Sequence, residues 1–160
     1  MKKLIRNSLI SLLGLSLVSC SPYPASDHKA SVEKNDTNEW TEIVFADFLS
    51  KMKNDDTFIT LMYAEGCPFC EKIIEENVPY IVSTKGYKLY AVKVDTASVT
   101  QEEVTEFKTY CSSDMAFFNE TSTRTIIRRP ITLVIENGEI FKYELGYTGT
   151  LNQFIDAYVE

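Results

Sequence analysis

Glu65-Gly66-Cys67-Pro68-Phe69-Cys70 is the stretch on which the reading of this chain turns. The β-rich run Thr57 to Tyr63 precedes it, and a helix-like run from Glu71 to Asn77 follows, carrying Ile73 and Ile74. Two cysteines with two residues between them, at a strand-to-helix junction, suit a dithiol–disulfide couple, half of a metal site, or a structural loop closure. A sulfur in the first helical turn faces unpaired backbone N–H groups and the positive end of the helix dipole, both of which favour thiolate. Pro68 suits the first helical position, where a missing N–H has no consequence. A metal site needs further ligands, and the sequence holds neither a second Cys-x-x-Cys nor a His pair. Its one histidine, His28, lies in the polar N-terminal stretch, which excludes Cys-His and Ser-His hydrolase sites and the usual His-rich zinc or copper site. Copper delivery is further disfavoured by the lack of a Met-rich run. The reading calls for no metal and no cofactor.

Towards the N-terminus, Phe45, Phe48, Leu49 and Met52 fall on one helical face after a short strand-like segment, Trp40 to Val44. Before Trp40 the composition changes. Ser21 to Asn38 holds Pro22, Pro24, Ser, Asn and scattered charges, so residues 20–39 read as a flexible tether and residues 40–160 as the folded domain. Residues 1–19 read as an export signal: Lys2, Lys3 and Arg6 precede the apolar run Leu9 to Val18, which is too short to span a bilayer comfortably. Leu17-Val18-Ser19-Cys20 resembles a bacterial lipobox, which implies cleavage before Cys20 and a lipid on its sulfur; the alternative is an ordinary signal peptide ending near a cysteine. Cleavage would remove Lys2, Lys3 and Arg6 and take the net charge from −7 to −10. Such an anionic chain is a poor nucleic-acid binder, with only Arg124, Arg128 and Arg129 forming a local basic group.

Towards the C-terminus, Pro79 kinks or ends the helix, Lys85-Gly86 stops it, and Tyr87 to Val94 alternates as a strand, so that strand, helix and strand make a parallel crossover. Thr100-Gln101-Glu102-Glu103 opens a third helix with a capping box and ends near Cys111. Ser112 to Thr125 is polar apart from Met115, Phe117 and Phe118, and the expectation is a loop or short helix. Ile131 to Ile135 and Ile140 to Leu145 flank Asn137-Gly138, a hairpin turn, and Leu151, Phe154, Ile155 and Tyr158 line a last helix.

This order, β-α-β-α-β-α-β-β-α with the cysteines opening the second helix and Pro130 just before the hairpin, resembles a thioredoxin-fold thiol–disulfide oxidoreductase over roughly Trp40 to Glu160. The resemblance implies an α/β thioredoxin-like fold, with a central mixed sheet, flanking helices and a C-terminal β-hairpin plus helix. It implies catalysis by Cys67 and Cys70 as a redox disulfide, with Cys67 forming the mixed disulfide and Cys70 resolving it, and Pro68 and Phe69 shaping the site. It also implies that Pro130 is a cis-proline facing the pair, and that Arg129 before it offers backbone groups to an extended substrate; a trans-proline opening an edge strand is the other reading. Departures from the thioredoxin pattern are Leu61 where a buried Asp is usual, Pro-Phe between the cysteines, Arg129 before the proline, and a longer stretch over residues 100–125, expected to be a helical insertion. Arg129 and Arg128 either stabilise the thiolate or are solvated charge. Glu65 is either a carboxylate acting near the thiols or an exposed solubilising one. Cys111 is a buried structural thiol or a third redox participant. The expected function is disulfide exchange with exported proteins, together with a separate redox partner, at the extracytoplasmic face of a bacterial membrane; the direction of electron flow is left open. The alternative is an accessory or binding protein for bacteriocin or peptide secretion or immunity, since the chain looks similar to bacteriocin transport accessory proteins of that fold.

Overall fold

The computed structural model describes residues 22, 23, 26–113 and 115–160; the export signal over 1–19 and Cys20 lie outside the described residues. The elements run β1 (Thr41–Ile43), α1 (Phe45–Lys53), β2 (Phe58–Tyr63), α2 (Pro68–Glu76), β3 (Leu89–Lys93), α3 (Gln101–Lys108), β4 (Phe118–Glu120), β5 (Thr125–Ile127), β6 (Ile131–Glu136), β7 (Glu139–Leu145) and α4 (Leu151–Tyr158). A five-stranded sheet has the order β1-β3-β2-β6-β7, with β3 parallel to both β1 and β2, and with β6 antiparallel to β2 and β7. This is the mixed sheet that the sequence predicts.

Because side chains alternate across a strand, each central strand feeds two apolar layers. Ile59, Leu61, Tyr63, Leu89, Ala91 and Val134 pack with α2 and α4 on one face. Phe58, Met62, Tyr90, Val92, Leu133 and Ile135 pack with α1 and α3 on the other. All six residues of β2 are buried, which is why its sequence is almost continuously apolar rather than alternating. On the second face Phe48 and Phe107 meet edge to face with centroids 5.5 Å apart, locking α1 to α3. The capping box at the start of α3 is present, with Thr100 Oγ1 accepting from Glu103 N–H and Glu103 accepting from Thr100 N–H. Pro79 follows the end of α2 and leads into a short π-helical segment, Tyr80–Thr84.

Two expectations are corrected. Among the described residues of 112–125 there is no second helix after α3: β4 and β5 form an antiparallel ribbon with Phe118 opposite Ile127. Its anchor is Phe117, fully buried between Phe107 and the edge of Tyr143 (centroids 4.7 Å apart). Strands of three residues are too short to show a period, and the ribbon is held by this aromatic plug together with Gln101 of α3, whose side chain bonds both backbone groups of Thr125. The second correction concerns the tether, since the folded unit begins before Trp40. Ala30 N–H donates to Tyr158 O (2.9 Å), Glu160 N–H to Ala30 O (3.0 Å) and Lys88 N–H to Glu33 O (2.9 Å), with Ala30 and Val32 buried. Backbone groups at strand and chain ends pair with any extended segment, so polar composition does not reveal such a strap.

The β6–β7 turn needs left-handed backbone at Asn137 (φ 50°) and Gly138 (φ 75°), as an Asn-Gly hairpin does. It also presses on α1: a Cβ on Gly138 would lie 2.2 Å from Met52 O, whereas one on Gly149 (φ 74°) meets nothing within 4 Å. Gly138→Ala is therefore expected to lower stability by roughly 2–3 kcal/mol and Gly149→Ala by about 1 kcal/mol. Chemical denaturation checks this, and equal losses would show that the turn simply moves away from α1.

Candidate functional site

The site is built at one end of the sheet. β2 and β3 are parallel, so both end there, with Tyr63 opposite Lys93. β6 runs the other way and starts there, with Ile131 opposite Met62, and β7 ends there, with Leu145 opposite Ile131. Gly146 N–H closes the corner on Pro130 O at 2.8 Å. The cysteine loop that leaves β2 and the Arg129-Pro130 pair that enters β6 are thus brought to the same edge by register alone. Crevices at the carboxyl ends of parallel strands are the usual ligand sites of open α/β sheets.

The chain turns from β2 into α2 through Gly66, whose φ of 65° is left-handed. Cys67 is the N-cap of α2, with extended backbone, and its Sγ accepts from Cys70 N–H at 3.3 Å. Pro68 occupies the first helical turn, and Glu71 N–H donates to Cys67 O at 3.0 Å. Cys67 and Cys70 are joined by a disulfide, their Cα atoms 5.2 Å apart. The two sulfurs are unequal: Cys67 is half-buried, whereas Cys70 is fully buried among Leu61 and Ile73. An incoming sulfur therefore has access to Cys67 first. On opening, Cys67 would lie where the helix N-terminus stabilises a thiolate, and Cys70 would be poised beneath it. Beside them Pro68 is exposed and Phe69 is 57% exposed, which gives the disulfide an apolar rim.

Pro130 is buried and its peptide bond to Arg129 is cis. Arg129 is exposed. Arg128 is tied down: its backbone N–H donates to Phe117 O (2.7 Å) and its Nε to Asn119 Oδ1 (2.9 Å). Together with Ile126, Ile127, Leu145 and Gly146, the two arginines line a groove, so the β4–β5 ribbon forms a wall next to the cis-proline corner. Arg124 braces the ribbon from the other side, its Nη2 donating to Thr96 O (3.2 Å) in the loop after β3. Glu65 points outward and pairs with Lys93 at 2.7 Å.

Leu61 is buried in the apolar layer under the cysteines and supplies no carboxylate there. A buried acid that sequence reasoning missed lies further along the same row. The registers align Leu61 with Thr132 and Thr132 with Glu144, which is only 5% exposed. Glu144 accepts from Tyr23 OH (2.9 Å) and Thr150 Oγ1 (3.3 Å), and also from Thr148 Oγ1. The available signal was a glutamate at an inward position of β7 followed by two threonines. Cys111 lies in the other apolar layer, beside Tyr110 and Met115, so the sheet separates it from the disulfide and it is no partner to that pair within one chain. Its thiol donates to Phe107 O at 3.4 Å, and burial pushes its pKa up to about 12.

No protein-family model and no curated protein matches the chain. Among solved structures, Chlamydomonas reinhardtii thioredoxin f2 is 13% identical with a TM-score of 0.51, the match covering 74% of this chain and 94% of that one. A chain in the complex of ferredoxin:thioredoxin reductase with thioredoxin f2 is 15% identical with a TM-score of 0.51, over 75% and 94% of the two chains. A Plasmodium falciparum thioredoxin is 24% identical with a TM-score of 0.48, over 74% and 98%. At such identities the likeness concerns the fold: the chain is a thioredoxin-fold protein with a Cys67–Cys70 disulfide.

Burial disfavours the charged form of Cys111, and a rise from the ordinary 9.0 to about 12 leaves about a thousandth of the usual thiolate at neutral pH. After reduction, iodoacetamide at pH 7.5 should label Cys67 readily and Cys111 only on unfolding. Equal labelling of Cys111 in the native and unfolded chains, read by peptide mass, would refute this.

Proposed function

We propose that the protein is a thiol–disulfide oxidoreductase, held at the extracytoplasmic face of a bacterial membrane by a lipid on Cys20 and exchanging disulfides with exported proteins. The observation that carries the redox part is the asymmetric disulfide: one accessible sulfur capping a helix, one buried sulfur behind it, and a cis-proline corner alongside. The anchoring part rests on Lys2, Lys3 and Arg6, the apolar run after them, and Leu17-Val18-Ser19-Cys20.

Oxidation of a client dithiol begins when a client thiolate attacks Cys67 Sγ. The Cys67–Cys70 bond breaks, its electron pair leaves on Cys70, and Cys70 takes up a proton. A second client thiolate attacks the client sulfur of the mixed disulfide and expels Cys67 as a thiolate, which the start of α2 stabilises. Two electrons have then passed from the client to the pair. In reverse, Cys67 thiolate attacks a client disulfide and Cys70 resolves the adduct. A redox partner of the same chemistry restores the starting state. Pro130 and Arg129 would line the client's extended chain beside the sulfur, with Pro68 and Phe69 on the opposite rim.

Replacing the resolving sulfur tests the reading directly. Cys70→Ala should accumulate reducible adducts through Cys67 in cells, and Cys67→Ala should form none. If neither variant traps a client and the double variant Cys67→Ser/Cys70→Ser keeps the full cellular phenotype, the protein acts by binding and not by exchange.

The direction of flow is read from the reduction potential, since about −120 mV marks oxidants and about −270 mV reductants. Positive charge near Cys67 favours the reduced form and raises the potential. Arg129→Ala is therefore expected to lower it by roughly 10–30 mV, measured against glutathione. An unchanged value would assign Arg129 to solvation alone.

A further inference from the structure

The strap that precedes β1 starts at the disulfide end of the sheet and finishes at the other. Tyr23 packs edge to face on Phe154 and Tyr158, with centroids 5.5 and 5.9 Å away. Its hydroxyl donates to Glu144 at 2.9 Å and lies 3.4 Å from Thr150 Oγ1. Thr150 caps the start of α4, and Glu144 adjoins Leu145, so both belong to the end where Gly146 bonds Pro130. Five residues on, His28 pairs with Glu136 at 2.9 Å and lies against Phe141, by the β6–β7 turn at the opposite end. Ala30 then bonds Tyr158 and Glu160 at the far end of α4.

This path changes what an anchor would do. A 19-residue flexible tether would let the domain tumble about 25 Å from its attachment, taking about 5–6 Å times the square root of its length. With Tyr23 docked, only the three steps from Cys20 to Tyr23 are left, which reach at most about 10 Å. The face brought close suits a headgroup layer. Phe69 is exposed beside the disulfide, and Arg128 and Arg129 are exposed on a chain that is otherwise strongly acidic. Glu65, at the same end, is paired with Lys93.

We infer that the strap turns the disulfide end of the domain toward the bilayer, so that its clients are cysteines close to the membrane surface, in juxtamembrane segments or in other lipid-anchored chains. This rests on the anchoring reading above and goes beyond it: anchoring alone leaves the domain free to serve soluble proteins. Docking of Tyr23 makes the anchor a means of orientation and favours clients at the surface over distant ones.

The test uses the full lipidated chain on phosphatidylcholine vesicles containing some phosphatidylglycerol and a gadolinium-chelating headgroup. In a Cys67→Ser/Cys70→Ser/Cys111→Ser background, spin labels are placed at Glu71→Cys beside the disulfide end, or at Glu139→Cys by the far turn. The label at 71 should relax several-fold faster than the label at 139, and Tyr23→Ala should reduce the difference. In the cysteine-intact chain, a dithiol peptide linked to the vesicle by a short spacer should exchange several-fold faster than one on a long flexible spacer. Tyr23→Ala should remove that preference and leave the rate with the same dithiol peptide free in solution unchanged. A chain that lacks the lipid mass or does not float with vesicles overturns the anchoring reading. A chain that floats but gives equal or reversed relaxation at 71 and 139, or shows no spacer preference, overturns the orientation.

Discussion

The structure depends on the burial of β2 on both faces and along both edges. Its six residues are all covered, paired in parallel with β3 and antiparallel with β6, so neither its register nor its direction can slip without turning an apolar layer out to water. Where β2 ends, the chain must leave the sheet, and the cysteines sit at that point. The same pairing starts β6 and ends β7 at this edge, which sets Pro130 and Gly146 beside the loop. The candidate site is thus a consequence of strand order, and its few polar parts are placed by an apolar frame.

Chemical inequality between the two sulfurs follows from helix geometry. Cys67 caps α2 at the surface, and Cys70, one turn in, points back into the layer that holds Leu61 and Ile73. A helix carries its own partial charge at its start, so no neighbouring ionised group is needed to favour thiolate at position 67. With Leu61 in the apolar layer beneath, the buried carboxylate of this face among the described residues is Glu144, two strands away and engaged by three hydroxyls. Those hydroxyls tie β7, the start of α4 and the N-terminal strap into one corner. The acid therefore works for the architecture of this end, holding the segment from which any N-terminal anchor would lead.

Much of this was legible in the residues. The cysteine spacing with Pro68 at a strand-to-helix change, the all-apolar run of β2, the capping box at Thr100 and the Asn137-Gly138 turn are local signals, each produced by a few neighbouring residues, and they agree with one another. The ribbon of β4 and β5 was not legible, because three-residue strands carry no period and contacts distant in sequence, Phe117 on Phe107 and Tyr143 and Gln101 on Thr125, hold them to α3 and β7. Nor was the strap, which is held through backbone pairing and through scattered side chains, Tyr23, His28 and Val32 among them.

The sequence by itself determined the helices and the strands of the main sheet, their order and the pair of sulfurs, because periodicity, caps and turns are written within a few residues of where they act. Only the tertiary structure decided which end of the sheet gathers Pro130, Arg129 and Gly146, that Cys111 lies across the sheet from the disulfide, and that residues expected to be a tether lie along α4. Those are relations between segments far apart in the chain, set by strand register and by which backbone edges remain open once the core has closed.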